Sequence, residues 1–214
     1  MDIEDYPDYL DRCELYELND KKTKFLASLQ GIARDLESTI NICKYLLTLL
    51  HQEKPDITMI DALTTAAVVK YARCFKTGCR DKIPQDYLKS LPDNLKANHD
   101  YFIDLRDKFI AHSVNIFEDN FVELEIWEES GNKKLMGMGM GGRLRGGLGY
   151  QHLKDLISLC TKLSEIVSVN IFRERDRLLA YFKTVPIDEL LKSSIENQSF
   201  PSDDDVKKIK RWVK

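Results

Sequence analysis

No CxxC pair occurs in the chain. Its five cysteines, Cys13, Cys43, Cys74, Cys79 and Cys160, are odd in number and scattered, which excludes a disulfide framework or a zinc site and predicts reduced, mostly buried thiols. Proline is scarce, at six residues in 214. With 43% hydrophobic and 31% charged residues, the composition is that of a folded chain and not of a disordered or fibrous one. No window approaches the roughly 18 continuous apolar residues of a membrane span. The acidic start MDIEDYPDYLDRCE lacks the basic, apolar and small-residue layout of a secretory signal. A cytoplasmic location with no membrane partner is expected. Positive charge is not in excess either: 32 Lys and Arg against 35 Asp and Glu give a net charge of -3, which excludes a general nucleic-acid coat and leaves room only for a local basic patch.

Helical periodicity fills most of what remains. Residues 22–52 carry Phe25, Leu29, Ile32, Leu36, Ile40, Cys43, Leu47 and Leu50 at spacings of three and four, which predicts a long helix ended by Pro55. A second helix over 57–77 is predicted from Met59, Leu63, Ala67, Tyr71 and Phe75, with Asp56 as N-cap and Gly78 as the stop. Its small residues Ala62, Ala66 and Ala67 permit close contact with a neighbour. Pro92 and Asp93 open a third, with Leu95, Phe102, Leu105, Phe109 and Ile110 on its apolar side, fading near 112–114. A fourth runs over about 151–183, and Pro186 separates it from a short C-terminal helix.

Between the third and fourth helices the period drops to two. Val122, Leu124 and Ile126 alternate with Glu123, Glu125 and Trp127, the Ser130-Gly131-Asn132 segment supplies a turn, and Lys134 to Met140 returns as a second strand. Eight of the ten glycines lie between Gly131 and Gly149, so the GGRLRGGLG stretch is expected to be a flexible loop. The fold expected is all-α: an antiparallel helical bundle in a single domain, 1–214, with a β-hairpin and glycine-rich insertion at 117–149 between the third and fourth core helices and a charged tail at 201–214.

The third helix closes with Leu105, Arg106, Asp107, Lys108, Phe109, Ile110, Ala111, His112 and Ser113. An arginine, five residues and a histidine, with a polar residue after the arginine and an apolar pair before the histidine, resembles the R-x4-6-H motif of the HEPN superfamily. Members of that family are helical bundles, many of them metal-independent ribonucleases. The preceding small-residue helix, ending Tyr71, Ala72, Arg73, Cys74, Phe75, is similar to the abortive-infection branch. The resemblance covers roughly residues 22–114 and 150–183. A second match to the spacing, Arg145 with His152, straddles the glycine loop and is read as accidental.

The resemblance implies that His112 serves as general acid or base and Arg106 as phosphate clamp, with Asp107 and Ser113 in support. They would act on the 2'-hydroxyl and scissile phosphate of RNA, giving a 2',3'-cyclic phosphate with no metal and no cofactor. It also implies a toxin or phage-defence setting with an antitoxin protein as partner. The side chains suit that chemistry. An imidazole of pKa about 6.5 takes or gives a proton at cellular pH, and a guanidinium offers a planar fork to phosphate oxygens. On an unbroken α-helix, six residues at 100° each leave Arg106 and His112 about 120° apart. One copy is therefore insufficient, and family precedent pairs two motifs across a two-fold axis, predicting a homodimer with these helix ends at its interface.

Plainer roles stand beside these. Arg106 can pair with Asp100 or Asp104, and His112 can meet the helix's last carbonyls and dipole; the chain is then a non-catalytic helical interaction or scaffold module. Lys133, Lys134, Arg143 and Arg145, with no acidic residue from Gly131 to Tyr150, are either an RNA contact or a solvated hairpin that offsets nearby glutamates. Lys70 and Arg73, with Lys76 and Arg80, fall at helical spacing and either line an RNA groove or form a solvated face. Tyr71 and Tyr101 are core residues or base-stacking platforms. His51, His99 and His152 have no metal-ligand spacing and read as surface or helix-end residues.

Overall fold

The computed structural model describes residues 14, 16–18, 20–76, 78, 80–111, 118–144 and 147–196. In chain order the elements are β1 (Tyr16–Leu18), α1 (Lys24–Leu50), α2 (Ile57–Arg73), α3 (Gln85–Lys89), α4 (Asp93–Leu105), β2 (Glu118–Glu129), β3 (Asn132–Leu144), α5 (Tyr150–Phe182), α6 (Ile187–Ser193) and β4 (Ser194–Glu196). The chain is therefore mostly helical, with two small antiparallel sheets, β1 with β4 and β2 with β3. Among the described residues no helix is long and apolar enough to cross a membrane.

The described residues group into two compact units. One lies within Met1–Gly31, Thr77–Lys82 and Val167–Lys214, the other within Ile32–Lys76 and Ile83–Ile166. In the first, β1 pairs with β4 from Tyr16↔Glu196 to Leu18↔Ser194, a pairing with no sequence signal. Asp20 caps the 3-10 turn Lys21–Thr23 by accepting the Lys22 N–H at 2.7 Å. Lys24 meets Asp81 at 2.7 Å, and the Asp81 N–H donates to Ser28 Oγ at 3.0 Å. Leu29, Val167 and Leu178 are buried in this unit.

In the second unit most of the helical stripes are buried as their periodicity predicts, with Leu36 and Cys43 of α1, Val68 and Tyr71 of α2, Phe102 of α4, and Leu156 and Leu163 of α5 all at 0% exposure, whereas Met59, expected on the α2 stripe, is exposed in the first turn of that helix. Asp56 caps α2, accepting the Met59 N–H at 3.0 Å. The helix stops at Arg73, short of Gly78, because Cys74 turns out of the ladder and its carbonyl takes the Ile83 N–H at 2.8 Å. The short α3 was not foreseen. Cys43, Cys74 and Cys160 are buried thiols outside any disulfide. Burial pushes the Cys43 thiol up to about 12 and that of Cys160 well above its ordinary value, so neither is poised as a nucleophile.

The hairpin runs from Glu118↔Leu144 to Glu129↔Asn132, with a bulge at Glu125/Ile126. Ser130 and Gly131 both have positive φ, 50° and 82°, as in the two-residue turns that match strand twist. The second strand does not end near Met140 to release a glycine loop. It continues to Leu144, because the glycines let side chains of β2 lie across β3. A Cβ at Gly141 would come within 2.5 Å of the Phe121 ring, and one at Gly137 within 2.6 Å of the Glu125 carboxylate. One face of the hairpin carries Val122, Leu124 and Ile126 opposite Met140, Met138 and Leu135, with Met136 at the bulge; the other carries Phe121, Glu123, Glu125 and Trp127 opposite Gly141, Gly139, Gly137 and Lys134.

Candidate functional site

The segment that holds the arginine is not α-helical. α4 ends at Leu105, and Arg106–Ile110 form a π-helical turn, closed by the Ala111 N–H donating to the Arg106 carbonyl at 2.9 Å, five residues back. The expectation of an unbroken helix to residues 112–114 is corrected here. In an α-helix five residues advance by about 500°, which would turn Ile110 some 140° away from Leu105. A turn closed over five residues sets Ile110 above Leu105 instead. Leu105, Phe109 and Ile110 thereby line one small cavity with Thr64, Thr65, Gly147 and Leu148.

Packing against α2 holds that arrangement in place. The Leu148 N–H donates to Thr64 Oγ1 at 3.3 Å. Gly147 has φ 75°, and a Cβ on it would lie 2.7 Å from Ile60 Cγ2, so both backbone and space require glycine. The chain that leaves the motif for the hairpin thus returns beside it. His112 and Ser113 lie outside the described residues, as does Arg145, and with His112 the expected separation from Arg106 lies outside them too.

Arg106 donates from Nη1 to Asp107 Oδ1 at 2.8 Å, and Lys76 Nζ donates to Asp107 Oδ2 at 2.7 Å. Of the partners considered for Arg106, Asp104 is taken by Lys108 at 2.8 Å. Lys76, and then Arg106, hold the Asp107 carboxyl below the usual carboxylate range by hydrogen bonding. One carboxylate bridging two cations leaves a net positive charge, and all three side chains are 36–41% exposed. Such a group can orient a guanidinium toward an anion without neutralising the surface around it.

The other described residues predicted to bind RNA have surroundings of their own. Arg73 faces the buried Asp35 of α1 at 3.4 Å, and Lys70 is half-buried on α2. Lys133 sits across the hairpin tip from Glu128 at 3.4 Å, beside Lys134. Arg143 is nine positions from Lys134 along β3, near the root, about 30 Å away at 3.3 Å per residue. Lys133 and Lys134 at the tip are therefore far along the ladder from position 143. Among the described residues no cluster of three His, Cys, Asp or Glu side chains is placed to hold a metal.

One polar pair went unseen in the sequence. Tyr71 Oη and His99 Nδ1 are 2.7 Å apart, and His99 packs edge-on against Phe75 at 4.5 Å between ring centres. His99 is therefore not the surface residue expected. Burial lowers its pKa, against a weaker opposing pull from Asp100, and burial raises that of Tyr71. The phenol stays protonated and shares a hydrogen bond with a neutral imidazole, its direction set by the ring's tautomer. His99 borders a cleft of about 330 Å³ with Gln85, Leu88, Lys96 and Asp100. Tyr101 stacks on His152 at 4.9 Å and 19°, while His51 ends α1 as expected, its Nδ1 2.6 Å from the Leu47 carbonyl. Comparison of the chain with protein-family models, with curated proteins and with solved structures returns no match.

Proposed function

We propose that the chain is a metal-independent endoribonuclease of HEPN type, an antiparallel bundle working as a cytoplasmic homodimer in a toxin or phage-defence role, with an antitoxin protein as partner. The observation that supports this best is the π-helical turn beginning at Arg106, with the Lys76–Asp107–Arg106 bridge on it. Wide turns of this kind are rare and occur often at functional sites, and here the turn coincides with the first residue of the motif. Asp107 fixes the guanidinium through Nη1, and Arg106 then binds the scissile phosphate and stabilises its charge in the transition state. His112 takes the 2'-hydroxyl proton, the 2'-oxygen attacks phosphorus, and the 5'-oxygen leaves with a proton. A cyclic phosphate and a 5'-hydroxyl end result. A two-fold axis supplies the second arginine and histidine.

Pure protein incubated with total RNA in EDTA is expected to cut it and leave 2',3'-cyclic phosphate ends. Arg106→Ala and His112→Ala should each slow cutting by about 100-fold or more. Cutting that survives both substitutions removes the site. Absence of cutting by any form removes the enzyme and favours the second reading, a non-catalytic helical interaction module, which draws its own support from the exposed apolar side chains of the hairpin.

A further inference from the structure

Residues 197–214 lie outside the described residues, and their sequence has a regular pattern of its own. After Ser202 and three aspartates come Val206, Ile209, Trp212 and Val213 at spacings of three and four, with Lys207, Lys208, Arg211 and Lys214 between and after them. At 100° per residue the four apolar positions fall within about 120° of arc and these four cations on the other side. A serine cap, an acidic first turn and a basic last turn are the order a helix favours. A helix this short is stable only where its apolar stripe is covered.

The first compact unit has a groove of about 400 Å³ lined by Leu18 of β1, Leu26 and Ala27 of α1 and Ile171 of α5, with Glu17 and Arg175 as its charged residues. Leu18, Leu26 and Ile171 are only half-buried there. We infer that this groove holds the chain's own C-terminal segment, Ser202–Lys214, as a helix laid apolar side down. The place where the described chain ends selects this occupant. β4 stops at Glu196, which pairs with Tyr16, one ladder position from Glu17 and two from Leu18. The segment therefore starts beside the groove, and the ten residues from Glu196 to Val206 span up to about 33 Å when extended. A segment tethered so closely acts at an effective concentration of about millimolar, so weak docking within one chain outcompetes a free partner. Charge agrees with this. The apolar arc of the segment is flanked by Asp205 on one edge and Lys210 on the other, and the groove has a cation on α5 and an anion on β1 to meet them. Arg175, which also meets its neighbour Asp176 at 2.9 Å, and Glu17 are both exposed, so these pairs set register more than they add energy.

Trp212 reports the docking once Trp127, the other tryptophan of the chain, is replaced. In full-length Trp127→Phe protein, Trp212 is expected to emit at shorter wavelength than tryptophan in water and to resist quenching by acrylamide. Leu26→Glu and Ile171→Glu, each added to that background, should raise quenching by about three-fold or more, because the docked helix would bury an unpaired carboxylate. Ile209→Glu should do the same from the side of the segment, and combining it with Ile171→Glu should add nothing to either alone. Ile209→Glu leaves the groove intact, so it reads the docking even where a groove variant loses its helical circular dichroism. Val169→Glu, at an exposed position of α5 that does not line the groove, should change nothing. Trp212 fully open to acrylamide in the Trp127→Phe protein overturns the inference, as does shielding that ignores both groove substitutions and Ile209→Glu. Shielding that is lost on dilution also overturns it, and assigns the groove to the segment of a second copy.

Discussion

Val68, Tyr71 and Phe102 of α2 and α4 are at 0% exposure, while Val122, Leu124 and Met140 of β2 and β3 stand 59 to 93% exposed. The two sets are apolar residues of one compact unit, set on their elements with equally regular periods. The helical stripes meet other helices of the same chain. The hairpin has one ladder and two faces, and among the described residues none covers the apolar row to a comparable degree. Periodicity therefore shows which residues need cover and is silent on where the cover comes from.

The strongest way to break the contrast is to truncate one residue from each set. Phe102→Ala should lower the free energy of unfolding by about 3–5 kcal/mol, from lost burial and the cavity left behind. Leu124→Ala, measured at concentrations where the chain is a monomer, should change it by no more than about 0.5 kcal/mol. Urea melts of both variants check this. A loss at Leu124 matching that at Phe102 would mean that the hairpin face is covered within a single copy.

The Tyr71–His99 pair sharpens the same contrast, because it is a polar contact inside the buried set. Tyr71→Phe removes the hydroxyl and strands the imidazole nitrogen it meets, at a cost of about 1–2 kcal/mol. The pair also sets a pH dependence. The folded pKa of His99 is depressed below its unfolded value, about 6.5, so the unfolded chain binds the proton first on acidification. Stability from this group is fully present above about pH 6.5 and is lost as pH falls from there through the folded value. Urea midpoints at pH 7.5 and pH 5 should show the loss in the unsubstituted chain and a smaller one in His99→Gln. An equal loss in both would assign the effect to other groups.

The long helices, the Asp56 cap and the turn of the hairpin were legible in the sequence because each depends on neighbours within a few positions. Tyr71 with His99, and Lys76 with Asp107, join residues 28 and 31 positions apart, and only the packing of α2 on the following segment brings them together. The π turn leaves no mark either: Leu105, Phe109 and Ile110 read as an ordinary apolar side, and the Gly147 and Leu148 that line a cavity with them are some forty positions away. The motif marks Arg106, but the sequence offers Asp100 and Asp104 as its partners, and Asp107 has a supporting role only through the resemblance. The glycine stretch was misread because glycine is scored as a loop former unless the side chain that crosses it is known, and Phe121 lies twenty positions away from Gly141.

The glycines of β3 give the smallest expected effect. At Gly139 an added Cβ meets only carboxylate oxygens at 3.9 and 4.0 Å, ordinary contact; at Gly141 it meets a ring carbon at 2.5 Å. Alanine costs less backbone entropy than glycine in a strand, by about 0.5–1 kcal/mol. Gly139→Ala should therefore raise the protection of hairpin amides against hydrogen exchange by about two- to five-fold. Gly141→Ala should lower it, since Phe121 must leave its place over the backbone before the methyl fits. Combining Gly141→Ala with Phe121→Ala separates the two contributions: protection above that of Phe121→Ala alone shows that the ring was the obstacle. If both glycine substitutions stabilise β2 and β3 equally, the ring does not rest on Gly141, and the extension of β3 past Met140 needs another cause.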